Sequence, residues 1–449
     1  MYAQNRRKPL IAALSVLTLV LAGLCWYLFD TNVDRSGWVC KEGIYYYRDF
    51  HGRKVTGWQT IDESKYYFRE DTTMATGWLD LDGERYHLGK DGALDYGWVL
   101  ADDVWYYTGT TGTVHTGWQD IEFQRYYFDP QGIMATGWLD QGGERYYLGA
   151  DGTMSMGFVV IDDETYYFSL DGVMHTGQLE LDTGRYLFTD DGTMHTGWLE
   201  EDTGKLYYDP ETGILQTGWQ EIGENRYYFD EGGFMQTGWL EQGEYRYYLH
   251  PDGTAAAGPV EIDGEIYYFS PKGIHVVLVN TQNKVPGYYQ MELVTIQDWH
   301  RVSQVCLEPL RQMLADCKAA GIKYTFNSAY RSIGEQTEIL EKRTQEYAEK
   351  GMDYGSAYQK ARETVALPGT SEHHLGLAVD LLGDAAVEWF NEHCWEYGFI
   401  RRYTAEKAHI TGFVDEPWHF RYVGREIALE LKDSGLCLEE YLGAYPIEE

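Results

Sequence analysis

Four residues in the last third of the chain have the types and spacing for hydrolytic chemistry. His373 and Asp380 lie in Ser371-Glu-His-His-Leu-Gly-Leu-Ala-Val-Asp380, and Glu416 and His419 bound Glu416-Pro-Trp-His419. Two imidazoles and one carboxylate supply three N/O ligands, and a tetrahedral zinc ion so held keeps its fourth position for water. The pattern therefore predicts Zn2+ at His373, Asp380 and His419. Glu416, three residues before His419, is placed to act as general base, taking the water's proton and passing it to a leaving amine. Amide hydrolysis also needs a group facing the developing oxyanion, and Arg331 is the candidate. His374 adjoins His373, and one stretch of backbone does not easily aim both rings at one ion, so a supporting or surface role is expected for it.

These groups need a frame. Leu377, Val379 and Leu381 alternate with Ala378, Asp380 and Leu382, which predicts a strand with Asp380 on the face opposite Val379. Gly376 permits a bend between that strand and His373. Residues 418–423 alternate again, with His419, Arg421 and Val423 on one face. Residues 276–279 and 323–328 read as further strands. Leu307, Leu310, Met313 and Leu314 fall at helical spacing, ending near Gly321, and residues 335–364 are helical with a break at Gly351 and Gly355. Residues 386–397 and 425–442 complete the helices, giving an α+β domain over residues 276–449.

Upstream the chain repeats itself. Gly-Trp recurs at 37, 57, 77, 97, 117 and 137, continues as Gly157-Phe158 and Gly177-Gln178, and returns at Gly197-Trp198, Gly218-Trp219 and Gly238-Trp239 before Gly258-Pro259. Between these marks stand an aromatic run, such as Arg145-Tyr-Tyr-Leu148, and a tight turn, such as Asp151-Gly152. This is a β-hairpin pattern. A unit this short cannot bury a core alone, so the array is expected to be a β-hairpin solenoid of about twelve units over residues 31–275, stabilised by neighbour contacts.

The array resembles the cell-wall-binding repeats of Gram-positive surface proteins, the group that includes choline-binding modules. In choline-binding members a Trp of Gly-Trp, a second Trp before Tyr-Tyr and a Tyr form a cage for a quaternary ammonium. Here only Trp105 fills the second Trp place, whereas Arg85, Arg125, Arg145, Arg185, Arg226 and Arg246 fill it elsewhere. A guanidinium there would repel choline, so the expected ligand is a cell-wall polymer or glycan, with Trp98, Trp105, Trp118 and Trp138 as candidate contacts.

The C-terminal domain resembles the VanY-type D-alanyl-D-alanine carboxypeptidases. Ser371, His373, Gly376, Ala378 and Asp380 match that family's first motif, Glu416-Pro-Trp-His419 its second, and Ser328-Ala-Tyr-Arg-Ser332 with Gln336 a third element. The resemblance implies His373, Asp380 and His419 as zinc ligands, Glu416 as catalytic base and Arg331 as a substrate or transition-state contact. It further implies that Ser328, Gln336 and Ser371 hold the peptide terminus, and that the substrate is a peptidoglycan stem peptide losing its C-terminal D-alanine. An L,D-carboxypeptidase on tetrapeptide stems, or a non-catalytic wall-binding surface protein, are the competing readings.

Composition sets outer limits. A chain of 449 residues exceeds one ordinary domain, and its formal net charge of −35 argues against nucleic acid as a partner. Arg6, Arg7 and Lys8 precede an uncharged stretch at 9–29, long enough to cross a bilayer, so residues 1–30 are expected to be a transmembrane signal anchor with the domains outside at the cell surface. Cleavage of that segment would make the protein secreted. Six cysteines are too few for a disulfide framework. Cys306 and Cys317 sit too far apart along one helix to bond each other, while Cys394 and Cys437 are either bridged or buried as thiols.

Overall fold

Each unit of the array folds as a two-stranded antiparallel hairpin. The series runs from β1 (Gly37–Lys41) and β2 (Ile44–Arg48) to β23 (Gly258–Ile262) and β24 (Glu265–Phe269), twelve hairpins among the described residues. The computed structural model describes residues 36–445. The expected span at 9–29 lies outside these residues, and among those described no helix is long and apolar enough to cross a membrane.

The core of the array lies between successive hairpins. Trp138 pairs with Tyr147 across its own hairpin and meets Tyr166 of the next one edge to face, with ring centroids 5.0 Å apart. Edge-to-face aromatic pairs add about 0.5–1.5 kcal/mol each beyond their buried area. Phe128, Phe168, Phe229 and Phe269 are fully buried. The backbone stitches neighbours as well, since Met174 N donates to Arg145 O of the preceding hairpin at 2.8 Å. Gly152, at φ 81°, leaves space for Met134, whose sulfur would lie 2.3 Å from a Cβ placed there.

The chain divides into two compact units, one ending at His195 and the other beginning at Thr196. The change of composition near residue 275 is therefore not a break in packing. Within the second unit, Tyr247 shares a core with Ile274, Val276, Leu278, Ile427 and Leu438, with Trp219 and Leu240 packed against it. Lys272 Nζ lies 3.0 Å from Glu426 Oε1 and 2.7 Å from Glu430 Oε1, and the Tyr422 hydroxyl donates to Glu244 Oε2 at 3.1 Å. β25 (His275–Val276) adds a third strand to the last hairpin. The strand expected over 276–279 stops there, because Val277 O accepts from Arg421 Nη2 at 2.8 Å instead of from a neighbouring strand.

Beyond it, β26 (Leu293–Gln297) and β27 (His300–Ser303) form a hairpin leading into the helix Gln304–Ala319. The main sheet contains β28 (Thr325–Ser328), β29 (Ala378–Leu382), β30 (Phe399–Tyr403) and β31 (Glu416–Tyr422) in the order β28-β29-β31-β30, with every neighbouring pair antiparallel. This is the α+β architecture expected. The long helical stretch splits into Ile333–Glu349 and Tyr354–Arg362, the first opened by a Ser332/Glu335 capping box. The final helical stretch breaks at Gly435, which caps Arg425–Ser434 in the left-handed conformation. Phe326, Val379, Leu381 and Phe420 turn one sheet face into the core with Leu310 and Met313. Among the described residues all five cysteines are free, and Cys306, Cys317, Cys394 and Cys437 are buried.

Phe229→Ala is expected to destabilise the second unit by about 3–5 kcal/mol, the usual cost of emptying a buried aromatic site. Lys272→Ala, which removes partly exposed ion pairs, should cost under about 1 kcal/mol. Urea unfolding followed by tryptophan fluorescence checks both.

Candidate metal centre and its cleft

The register of the sheet brings the chemistry together. Asp380 of β29 is the cross-strand partner of His419 on β31, and Ser328 of β28 is the partner of Asp380 on the other side. Directly opposed residues share a face, so the carboxylate and imidazole lie side by side on the face away from Val379 and Phe420. His373 arrives from a 3-10 turn, Glu372–Leu375, closed by Gly376 at φ 65°. A Cβ at Gly376 would stand 2.9 Å from Ser303 N, so this bend needs glycine for space as well as for conformation.

His373, Asp380 and His419 are all buried, with one ligand atom from each lying within 4.8 Å of the others. His373 Nδ1 donates to Ala329 O at 2.6 Å, which turns Nε2 toward Asp380 Oδ2 at 3.3 Å and leaves Nε2 without a hydrogen-bond partner. A buried imidazole nitrogen aimed at a carboxylate with nothing to bond suits a divalent cation. His419 Nδ1 lies 3.0 Å from Asp380 Oδ1 and 3.9 Å from Glu416 Oε2. The residues fit the zinc site that the sequence predicts.

Burial sets the charges. It lowers His373 to about 4, with Arg331 acting in the same direction, so the ring is neutral and ready to ligate. Burial also opposes charge on Asp380, yet His373 and His419 outweigh it and hold the carboxyl well below the usual range. His419 is pushed up to about 9, because hydrogen bonds to Asp380 and Glu372 overcome the desolvation of the ring. Glu416 is raised by burial.

The cluster opens onto a cleft of about 400 Å³, lined among others by Arg331, Gln336, Ser371, Tyr403, Glu416 and Trp418. Arg331 Nη2 is 4.0 Å from Asp380 Oδ2, and its Nη1 donates to Gln336 Oε1 at 3.0 Å. The Gln336 amide donates in turn to Ala366 O at 2.8 Å, so both of its ends are engaged within the chain. Ser328 is half-buried beside Asp380 but does not line the cleft, whereas the buried Ser371 does. His374 stands outside the cluster as expected: its Nδ1 donates to Arg331 O at 2.7 Å, and its Nε2 accepts from Gly369 N at 3.1 Å.

Several functional neighbours escape sequence reasoning. Glu372 is buried and lies 3.3 Å from His419 Nε2 through Oε2, while its Oε1 accepts from Arg402 Nε at 2.8 Å and Arg421 Nη1 at 3.0 Å. Tyr403, also buried, holds its ring 4.9 Å from that of His419. The available signal was charge inside apolar strands: Arg402 in Phe-Ile-Arg-Arg-Tyr and Arg421 in His-Phe-Arg-Tyr require buried acids as partners.

In the array, Trp98 meets Trp105 at 6.2 Å and 90°, and Tyr126 at 4.9 Å. Trp118 and Trp138 instead carry the guanidinium of their own hairpin, Arg125 at 5.2 Å and Arg145 at 4.3 Å. The same stacking recurs at Arg85 on Trp78, Arg226 on Trp219 and Arg246 on Trp239. Each of these arginines also stands opposite an acid across its hairpin, as Asp140 stands opposite Arg145.

Residues 299–425 match the VanY family, described as D-alanyl-D-alanine carboxypeptidase, and residues 55–91, 115–156 and 216–257 match the choline-binding repeat. A D-alanyl-D-alanine carboxypeptidase of Enterococcus faecalis (strain ATCC 700802 / V583) is 42% identical over 175 residues, covering 37% of this chain and 65% of that relative's length. Among solved structures, a mutant of the vancomycin resistance D,D-pentapeptidase VanY from a VanB-type cassette, in complex with Zn(II), shares 40% identity at a TM-score of 0.36, covering 37% of this chain and 97% of its own. CbpJ from Streptococcus pneumoniae TIGR4 shares 26% identity at a TM-score of 0.38, covering 54% of this chain and 100% of its own. The chain is thus similar to choline-binding repeats along its array and to the VanY D-alanyl-D-alanine carboxypeptidases over residues 299–425.

Proposed function

We propose that the protein is a zinc-dependent D,D-carboxypeptidase that removes the C-terminal D-alanine from peptidoglycan stem peptides at the cell surface, docked to the wall by its repeats. The observation that carries this reading is the buried His373/Asp380/His419 cluster, opening beside Glu416 and Arg331 onto a peptide-sized cleft. The zinc named for the solved VanY relative supports the choice of metal.

A zinc ion held by His373, Asp380 and His419 supplies a Lewis acid and a water acidified to about neutral pH. Glu416, beside the cluster, would accept a proton from the attacking water and return it to the departing D-alanine amine, a role favoured by its raised pKa. Arg331, half-buried and braced by Gln336, faces the oxyanion that develops on the scissile carbonyl. Ser371 on the cleft wall is the polar contact for the peptide terminus, with Gln336 acting through Arg331. Anchoring by residues 9–29 and attachment of the array to a wall polymer complete the surface reading. In the array, Trp98 and Trp105 present aromatic faces for that polymer, while the stacked arginines on Trp118 and Trp138 supply hydrogen-bond donors at its edge.

Metal analysis should find about one zinc per chain in the parent protein and in His374→Gln, and none in Asp380→Ala. Glu416→Ala should keep its zinc and lose at least about a hundredfold in kcat, the scale of general-base catalysis. Mass analysis of products should show loss of one alanine from pentapeptide stems with tetrapeptide stems untouched. Cleavage of tetrapeptide stems would replace the D,D assignment with an L,D one.

Because the last three hairpins share a core with the C-terminal domain and the one before them belongs to the same compact unit, the clean test of docking removes residues 36–195 only. That deletion should leave kcat/KM on a soluble pentapeptide within about twofold and lower release of alanine from intact wall by about a hundredfold, the scale of lost avidity.

A further inference from the structure

We propose that Glu372 is the positioning residue of this metal centre. It accepts the Nε2–H of His419 and so commits Nδ1 of that ring to the ion. The proposal rests on the zinc reading and assigns a role to a side chain that neither motif marks as ligand or base.

The two histidines are fixed in different ways. His373 is held at Nδ1 by a backbone carbonyl, Ala329 O at 2.6 Å, and faces the cluster with Nε2. His419 faces the cluster with Nδ1, 3.0 Å from Asp380, and has Glu372 Oε2 behind it, 3.3 Å from Nε2. A carboxylate on the far nitrogen of a ligating imidazole fixes its tautomer and orientation and strengthens it as a donor.

Glu372 is itself immobilised. Arg402 and Arg421 both donate to its Oε1, which leaves Oε2 to the histidine. The remaining nitrogens of Arg402 go to Glu439, at 2.9 and 2.5 Å, and Glu439 Oε1 also accepts from Asn280 Nδ2 at 3.0 Å. Arg421 Nη2 reaches Val277 O. Two guanidiniums and two carboxylates thus neutralise one another in a site where all four residues are buried. Their outer contacts lie on residues 277–280, the segment that leaves the last hairpin through β25.

The test uses the full chain loaded with cadmium-113 as an NMR-visible stand-in for zinc, with nitrogen-15 in its histidines. The expected result is cadmium–nitrogen coupling to His373 Nε2 and His419 Nδ1, with the Nε2–H of His419 protected from exchange. Zinc affinity, measured by competition with a chelator, should fall about 10- to 100-fold in Glu372→Gln. Coupling through His419 Nε2, or an affinity in Glu372→Gln within twofold of the parent, overturns the proposal and leaves the zinc reading standing. Absence of coupling to either histidine, with no zinc taken up, overturns both. Should Glu372→Gln fail to fold, the coupling pattern of the parent protein decides alone.

Discussion

The pairing of Asp380 with His419 across an antiparallel ladder is the constraint on which the site depends. Side chains along a strand alternate, so a slip of one residue would send Asp380 into the core and bring Val379 into the cleft. The register is pinned from the opposite face, where Val379, Leu381 and Phe420 are fully buried against the long helix Gln304–Ala319. Stability of the core and geometry of the candidate metal site are consequences of the same two strands. The other groups come in from loops that this ladder terminates: Arg331 just past β28, His373 from the turn before β29, and Glu416 from the first position of β31.

Behind the proposed ligands the domain keeps four charges out of water. Removing one member of such a set costs about 3–5 kcal/mol, because a bare buried charge remains. Arg402, Arg421, Glu372 and Glu439 come from four separate stretches of chain, so the set also ties those stretches together. A wholly apolar cluster of the same volume could stabilise the fold equally well. It could not present a carboxylate to the back of His419.

Much of the site was legible because its residues carry their chemistry in their types. The histidines, Asp380, Glu416 and Arg331 were readable at their spacing, and alternation around Val379 and Phe420 gave the strands that hold them. Glu372 was not readable, since its partners lie 30 and 49 residues away and no local period connects them. In the array, the hairpins followed from Gly-Trp and the tight turns, whereas the stacking of arginine on tryptophan did not. The sequence puts Arg145 opposite Asp140, but only the diagonal geometry of the pleat carries its guanidinium over Trp138. The packing boundary was hidden for a similar reason. Composition changes near residue 275, while Tyr245 already packs with the last helices, its ring 3.0 Å from where a Cβ on Gly424 would stand.

That shared core bears on how such proteins can be assembled from parts. A genetic exchange made where the repeats end would strip Tyr247, Leu240 and Trp219 from the back of the peptidase domain and leave Ile427 and Leu438 facing water. An exchange of repeat arrays that keeps this core intact has its crossover earlier, ahead of Thr196, and carries the last four hairpins along with the C-terminal domain. Those four hairpins belong by packing with the C-terminal domain even though their sequence is that of the array.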